Sequence, residues 1–455
     1  MTKSINEREL VLGILLEVTR DGEHSHIALR NVLNKYQYLD KKERAFITRV
    51  TEGTLERMIE LDYIINQFSK VKVNKMKPVI RNIIRSAVYQ MKYMDSVPNS
   101  AACNEAVKLA VKKGFVNLKG FVNGLLRNID RNLEQISYPD EKDLEQYLSV
   151  KYSMPTWILR QWLAAYDRES VECMLQDFLK EKDTIIRCDL GQMPKEELVK
   201  ALEDEGVHVE EHPYLPYALR ISSYNYLGEL ETFQKGAFSV QDISSMLVAY
   251  LAEPKEGDEI IDVCAAPGGK ALHMAEALCG TGHVQARDLT DYKVGLIEEN
   301  ILRSGMTNIE AVRWDATQKD ETAVEKADIV VADLPCSGLG VLGKKTDLKY
   351  KMTEETQKEL VALQRKMLST VKDYVKPGGT LVYSTCTIHE EENMGNVHWF
   401  LEQNKEFELV PIAQLLCEEL KNDVVEQGCI QLLPGIHDSD GFFIAKFRKL
   451  PVYFK

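Results

Sequence analysis

Two cysteines, Cys336 and Cys386, each stand just past a short apolar run. Ala327-Asp328-Ile329-Val330-Val331-Ala332 runs into Asp333-Leu334-Pro335-Cys336, and Thr380-Leu381-Val382-Tyr383 runs into Ser384-Thr385-Cys386-Thr387. A β-branched run ending in a carboxylate, a proline and a thiol reads as a buried parallel strand opening into a loop. In open α/β sheets ligands sit at such strand ends. Pro335 fixes its own φ and pushes Leu334 out of the helical region, which would hold Asp333 and Cys336 rigidly at the rim. A single buried cysteine is commonly an inert small hydrophobe. Two thiols at neighbouring strand ends point instead to nucleophilic chemistry, provided the surroundings favour a thiolate. Cys103, Cys173, Cys188, Cys279, Cys417 and Cys429 have no companion motif and read as structural.

A second constellation lies upstream in Asp262-Val263-Cys264-Ala265-Ala266-Pro267-Gly268-Gly269-Lys270. Small residues and two glycines let backbone approach a ligand closely, with free N–H groups at the following helix start. The pattern is neither G-x-G-x-x-G nor a P-loop, which tells against a dinucleotide and against ATP. The next strand ends at Asp288, 24 residues past Cys264, where an acid binds ribose hydroxyls. The third ends at Asp315, a position suited to an adenine amino group. With acids ending strands two, three and four, the glycine-rich turn points to an adenosine-type cofactor. Cys264 itself reads as packing. Lys270 and Lys293 are the cations that could favour a thiolate.

The elements that must position these groups follow from periodicity. From about Gln241 onward strands and helices alternate: Glu259–Cys264, His283–Arg287, Ile309–Arg313, Ala327–Asp333 and Thr380–Ser384 are strands. Helices fill Lys270–Leu278, Asp291–Arg303, Thr353–Val375 and Glu390–Leu401, and Cys429–Leu433 with Gly441–Arg448 form an antiparallel closing pair. Such alternation means a parallel doubly wound sheet. Residues 1–137 show apolar positions at helical spacing, such as Leu55, Met58, Ile59, Tyr63 and Ile64, and read as all-α. Pro78 opens a helix, and Asn99 or Ser100 caps the one over Ala101–Lys113. Residues 138–235 form a small α/β domain of ferredoxin-like or RNA-recognition-like type, with strands at Thr184–Cys188, Val207–Val209 and Ala218–Ile221 around a helix over Pro194–Glu205. The domain of alternating strands and helices then spans 236–455.

With 455 residues the chain is long enough for two or three cores. The N-terminus is polar, from Met1 to Arg8, and no run reaches the roughly 20 apolar residues of a membrane span. Nine cysteines without a C-x-x-C pair exclude the usual zinc and disulfide frameworks and fit free thiols in a cytoplasmic protein. The net charge of −13 is unevenly spread: residues 1–137 hold 23 Lys+Arg against 15 Asp+Glu, leaving 34 against 55 of the totals 57 and 70. That asymmetry marks the N-terminal part as the one that meets a polyanion. Lys70, Lys72, Lys75, Lys77, Arg81 and Arg85, with no acid among them, form the expected phosphate-contacting face.

Cys264–Lys270 (CAAPGGK), Asp333–Gly338 (DLPCSG) and Ser384–Thr387 (STCT) resemble the motifs of RNA cytosine-5 methyltransferases. Val97–Ile129 is similar to the NusB-like domain found in front of some of these enzymes, and Leu433–Phe443 (LPGIHDSDGFF) to their closing hairpin. Together they resemble the RsmB (Sun/Fmu) family, over nearly the whole chain and most weakly in 140–235. The resemblance implies a seven-stranded, mostly parallel Rossmann-like domain using S-adenosyl-L-methionine, bound by 264–270, Asp288, Lys293, Asp315 and Asp333. It implies methylation of cytosine 967 of 16S rRNA, with Cys386 as nucleophile, Cys336 as the release-assisting thiol and Asp333 at N3 of the base. It further implies a monomer without metal.

The chemistry explains the residue types. C5 of cytosine cannot attack a sulfonium methyl group unaided; a thiolate adding at C6 makes C5 enamine-like, and loss of the C5 proton later expels the thiol. An acid must hold N3 as charge builds on the ring, and the base must be single-stranded or flipped. The chain departs from the family after Cys336, where an Arg-Arg-x-Pro-type run is replaced by Gly343-Lys344-Lys345-Thr346-Asp347-Leu348-Lys349. Lysine binds phosphate as a point charge, so Lys344, Lys345 and Lys349 are expected to keep that loop positive. The rival readings are the same chemistry on tRNA, a non-catalytic RNA-binding assembly factor, and a small-molecule methyltransferase.

Overall fold

The structure, a computed structural model, describes residues 6–451, apart from the side chain of Asn422; residues 1–5 of the polar N-terminal stretch lie outside the described residues. The chain divides into two compact units, one running to Leu179 and taking in Leu342–Lys351, the other made of Lys180–Val341 and Met352–Lys455.

The first unit is helical. Its opening helix Glu7–Thr19 is capped by Asn6, whose side chain accepts from Glu9 N, and Lys41–Glu56 begins with an Asp40/Glu43 capping box. Ile14, Leu15, Ile47, Ile64, Ile84, Val88, Leu126 and Ile129 form its core, all at helical spacing within their own segments. Pro78 occupies the first turn of the helix Pro78–Tyr93. The expected cap on the next helix is absent: Asn99–Lys112 is preceded by Pro98 without a side-chain cap, and Asn99 Nδ2 donates to Asp130 at 2.7 Å instead. Arg85 also departs from its expected role. It is buried against Asp62, with Nε 2.6 Å from Oδ1, so it holds the bundle rather than facing solvent. Lys70, Lys72, Lys75 and Lys77 remain exposed, and Arg81 is half-buried.

Lys349 departs in the same way. Within this unit it is buried, and its Nζ donates to the Glu56 carbonyl at 2.8 Å. Tyr350 donates to the same carbonyl at 3.3 Å, and Asp347 pairs with Lys351 at 2.8 Å. Burial pulls the Lys349 ammonium down to about 7 against the opposing influence of Glu56. Only Lys344 and Lys345 of the loop's three expected cations are exposed.

The second unit holds two sheets. The smaller is antiparallel: β1 (Thr184–Cys188), β2 (His208–Glu211), β3 (Ala218–Ser222) and β4 (Phe238–Val240) lie in the order β2-β3-β1-β4, with the helix Lys195–Asp204 packed through Leu198 and Leu202. This is the ferredoxin-like element. The larger sheet comprises β5 (Glu259–Asp262), β6 (His283–Asp288), β7 (Ile309–Arg313), β8 (Ala327–Asp333), β9 (Val375–Thr385), β10 (Phe407–Leu409), β11 (Val424–Glu426), β12 (Cys429–Leu432) and β13 (Phe442–Lys449). Its order is β11-β12-β13-β9-β8-β5-β6-β7, with β10 beside β13. The five strands from β7 to β9 pair in parallel; β13 runs antiparallel to β9 and β12 antiparallel to β13. β12 to β7 are the seven strands expected, and the three-residue strands β10 and β11 extend them.

Period-two alternation along the strands feeds two cores. Ile329 and Val331 of β8 and Val382 of β9 pack with helices Ile243–Ala252 and Gly269–Ala277, while Val330, Ala332, Leu381 and Tyr383 pack with Glu354–Val371 and Met394–Gln403. Both faces being covered, the polar ends of the strands are where chemistry can reach solvent.

Candidate active site

β8 and β9 lie side by side with Asp333 opposite Ser384, and Leu334 N donates to Ser384 O at 3.1 Å. That register delivers both cysteines to one point: the sulfurs of Cys336 and Cys386 are 3.2 Å apart. Asp333 sits beside them with both oxygens engaged. Ser384 Oγ donates to Oδ1 at 2.8 Å, and Lys270 Nζ, from the first turn of the helix after β5, lies 2.7 Å from Oδ2. Burial works against the charge on Lys270, but the carboxylates of Asp333 and Asp262 outweigh it, so the ammonium is held above its ordinary range. The Cys336 thiol is held well above its own range by its hydrogen bond to the Cys386 sulfur and then by burial.

The loop after Cys336 is closed by the hairpin between β12 and β13. Gly441 N donates to Gly340 O at 2.9 Å, and Gly340 N to Cys386 O at 3.1 Å. A Cβ on Gly340 would come within 1.9 Å of Gly441 O, so this crossing demands glycine. His437, in the same hairpin, is buried and accepts from Leu433 N at 2.7 Å through Nδ1.

The upstream turn, 264–270, follows β5. Ala265 N donates to Arg287 O at 2.8 Å, the Ala266–Pro267 peptide is cis, and Gly268 takes φ +108 ahead of the helix from Gly269. Asp288, at the end of β6, accepts from Ala266 N at 3.1 Å and from Leu289 N at 2.7 Å, and Lys293 Nζ lies 3.1 Å away. Lys293 is thus engaged by Asp288, and Lys270 alone of the two expected lysines is at the sulfur site. Asp315 is half-buried beyond β7 and accepts from Thr317 N at 2.8 Å. Burial and then the neighbouring carboxylates push the Cys264 thiol far up, which suits packing and not nucleophilic attack.

Two acids that motif reading passed over complete the site. Asp262, fully buried at the end of β5, is pushed up to about 7 by burial and then by Asp333, and its Oδ2 has no hydrogen-bond partner. A buried carboxylate oxygen left open beside a small-residue turn fits a cationic ligand, and S-adenosylmethionine carries both a sulfonium and an ammonium group. Its signal in the sequence was its position, an acid ending the first strand. Glu392, also fully buried, accepts from Ser337 N at 2.9 Å, and nothing in its Glu390-Glu391-Glu392 run distinguishes it from two solvated neighbours. Among the described residues no cluster of His, Cys, Asp and Glu could hold a metal, and no helix is long and apolar enough to cross a membrane.

Comparison with known proteins agrees with this layout along the whole chain. Residues 249–448 match the family "16S rRNA methyltransferase RsmB/F", 5–131 the NusB family, and 154–225 the ferredoxin-like domain of RsmF/B-like methyltransferases. The chain is 35% identical to the probable ribosomal RNA small subunit methyltransferase B of Bacillus subtilis, over 98% of this chain and 99% of that one. It is 30% identical to ribosomal RNA small subunit methyltransferase B of Cronobacter sakazakii, over 99% and 100%. Among solved structures, PH0851 superposes with a TM-score of 0.82 at 26% identity, covering 99% of this chain and 100% of that one.

Proposed function

Because the chain belongs to the RsmB/F family of S-adenosylmethionine-dependent 16S rRNA methyltransferases, we propose that it methylates C5 of a cytosine, cytosine 967 of 16S rRNA, through a covalent Cys386–C6 adduct. The observation that carries this reading is the pair of sulfurs 3.2 Å apart beside the Asp333–Lys270 ion pair. When bound, S-adenosylmethionine supplies an electrophilic methyl group. The residues of the cofactor wall are Asp262, the turn 264–270, Asp288 with Lys293, and Asp315. Cys386 as thiolate adds to C6, which loads electron density onto C5. Asp333, held by Ser384 and 2.7 Å from the Lys270 ammonium, passes a proton from Lys270 to N3 as negative charge builds on the ring. With the methyl group on C5, the C5 proton passes to solvent water, the C6–Cys386 bond breaks, and Cys336 donates a hydrogen bond to the departing Cys386 thiolate, the two sulfurs lying 3.2 Å apart in the free protein.

The exposed lysines Lys70, Lys72, Lys75 and Lys77, with Lys344 and Lys345, supply the positive surface that RNA binding needs. The test is methyl transfer from labelled cofactor to 16S rRNA and to tRNA, with methylated cytosines mapped by bisulfite sequencing. Label at a single 16S cytosine is expected. Exclusive labelling of tRNA would refute the substrate, and a Cys386→Ser protein that still methylates would refute the assignment of the nucleophile.

A further inference from the structure

Behind the sulfur pair lies a carboxylate that no step above uses. Glu392 ends the short turn Glu390–Glu392 after β9 and is fully buried. One oxygen accepts from Ser337 Oγ at 2.5 Å; the other accepts from Ser337 N and from Gln364 Nε2, each at 2.9 Å. Gln364 Nε2 also donates to Pro335 O at 2.9 Å, and Ser337 Oγ lies 2.8 Å from Thr387 Oγ1. Both neighbours of Cys336 in the chain, and one neighbour of Cys386, are thus tied to Glu392 directly or through one side chain. The Tyr383 hydroxyl donates to the Glu392 carbonyl, which fixes the turn to β9.

A buried carboxylate is retained at such a cost only when its hydrogen bonds are made. The bonds to Glu392 come from neutral groups, and His389, 3.3 Å away, is its titratable neighbour. Asp333 has the Lys270 ammonium; Glu392 has no such cation among the bonds just named. The charged and titratable groups facing the two sulfurs are Asp333 from β8, Tyr383 from β9, Lys270 from the helix after β5, and Glu392 with His389 from the turn. The negative charge of Glu392 acts on Cys336, while Lys270 and Cys386 act on each other.

We propose that Glu392 is a positioning residue for the thiol pair: it orders the Cys336 turn and keeps the shared proton on Cys336, leaving Cys386 as the thiolate. This rests on the two cysteines being the reacting pair, and it adds what decides their roles. The full-length protein without RNA or cofactor is alkylated with iodoacetamide across pH 5–10, and the rate at each cysteine is followed by mass spectrometry. In wild type, Cys386 is expected to react at lower pH than Cys336. Glu392→Gln keeps the shape and removes the charge; the Cys336 rate at neutral pH is expected to rise about tenfold, the effect of one pH unit in thiol ionisation. Ser337→Ala keeps the charge and removes the hydroxyl's two ties, to Glu392 and to Thr387. It is expected to speed Cys336 alkylation without moving its pH dependence, and it carries the test if Glu392→Gln proves unfolded by circular dichroism. Wild-type profiles for Cys336 in both variants, or in Ser337→Ala alone where Glu392→Gln is unfolded, would overturn the proposal. Because the readout is alkylation of the free protein, its outcome is separate from whether Cys386→Ser methylates RNA.

Discussion

β5 and β8 are hydrogen-bonded neighbours, and both end in an aspartate followed within three residues by a cysteine, yet the two ends behave in opposite ways. At β5, Asp262 is fully buried with one oxygen unpartnered, and Cys264 is held neutral. At β8, Asp333 is paired with Lys270 and Ser384, and Cys336 touches a second sulfur. The difference is made by one side chain crossing over. Lys270 belongs to the β5 turn but pairs with the β8 acid, leaving Asp262 as a buried carboxyl with one oxygen unpartnered. Similar residue strings thus become a buried, unpaired carboxyl and an ion-paired one according to where one ammonium goes.

The comparison is broken most completely at the β8 end. Cys386→Ser is expected to abolish methylation, and Cys336→Ala to stall after transfer, leaving a protein–RNA adduct that survives denaturing electrophoresis. Lys270→Met removes the crossing ammonium. Removal of a single charge-stabilising group typically costs about 10²–10³ in kcat, and a loss of that size in single-turnover methylation is expected, together with weaker cofactor-independent adduct formation.

Asp262→Asn sharpens the β5 side. The folded carboxyl titrates near 7, against an ordinary value of 3.8. The native state therefore binds more protons than the unfolded state between those values, and wild-type stability falls as pH rises through that window. The asparagine variant lacks this fall, so its melting temperature should overtake wild type as pH rises from 4 to 8. A difference that stays constant with pH would mean Asp262 is ionised in the free protein.

The smallest effects are expected in the helical unit. Lys344→Glu and Lys345→Glu should weaken RNA binding and lower its salt dependence, whereas Lys349→Met should leave both unchanged. The folded Lys349 amine titrates near 7, below its ordinary 10.5, so the native state binds fewer protons across that range. Its contribution to stability accordingly rises with pH from 7 to about 10, and Lys349→Met should flatten that rise in thermal unfolding.

Strand–helix alternation, glycine placement and the acids at strand ends are local signals, which is why β5 to β9 and their turns could be read within a few residues of their bounds. The compact units part at 179–180 because helices Leu144–Tyr152, Thr156–Ala165 and Arg168–Asp177 pack with the helical unit, and that is a long-range preference. Arg85 and Lys349 depart from their expected exposure because their partners are distant in sequence. A cation in a basic run looks solvated until its partner, Asp62 or the Glu56 carbonyl, arrives from elsewhere in the chain.

By itself the sequence determined the fold class, the glycine-rich turn after β5 and which two cysteines stand at strand ends, because each depends on residues close together in the chain. Only the tertiary structure decided that the sulfurs lie 3.2 Å apart, that Lys270 crosses to Asp333, and that Glu392 is buried beneath the Cys336 turn. Those are questions of strand register and burial, and the free energy of a charge depends on what surrounds it more than on its neighbours in sequence.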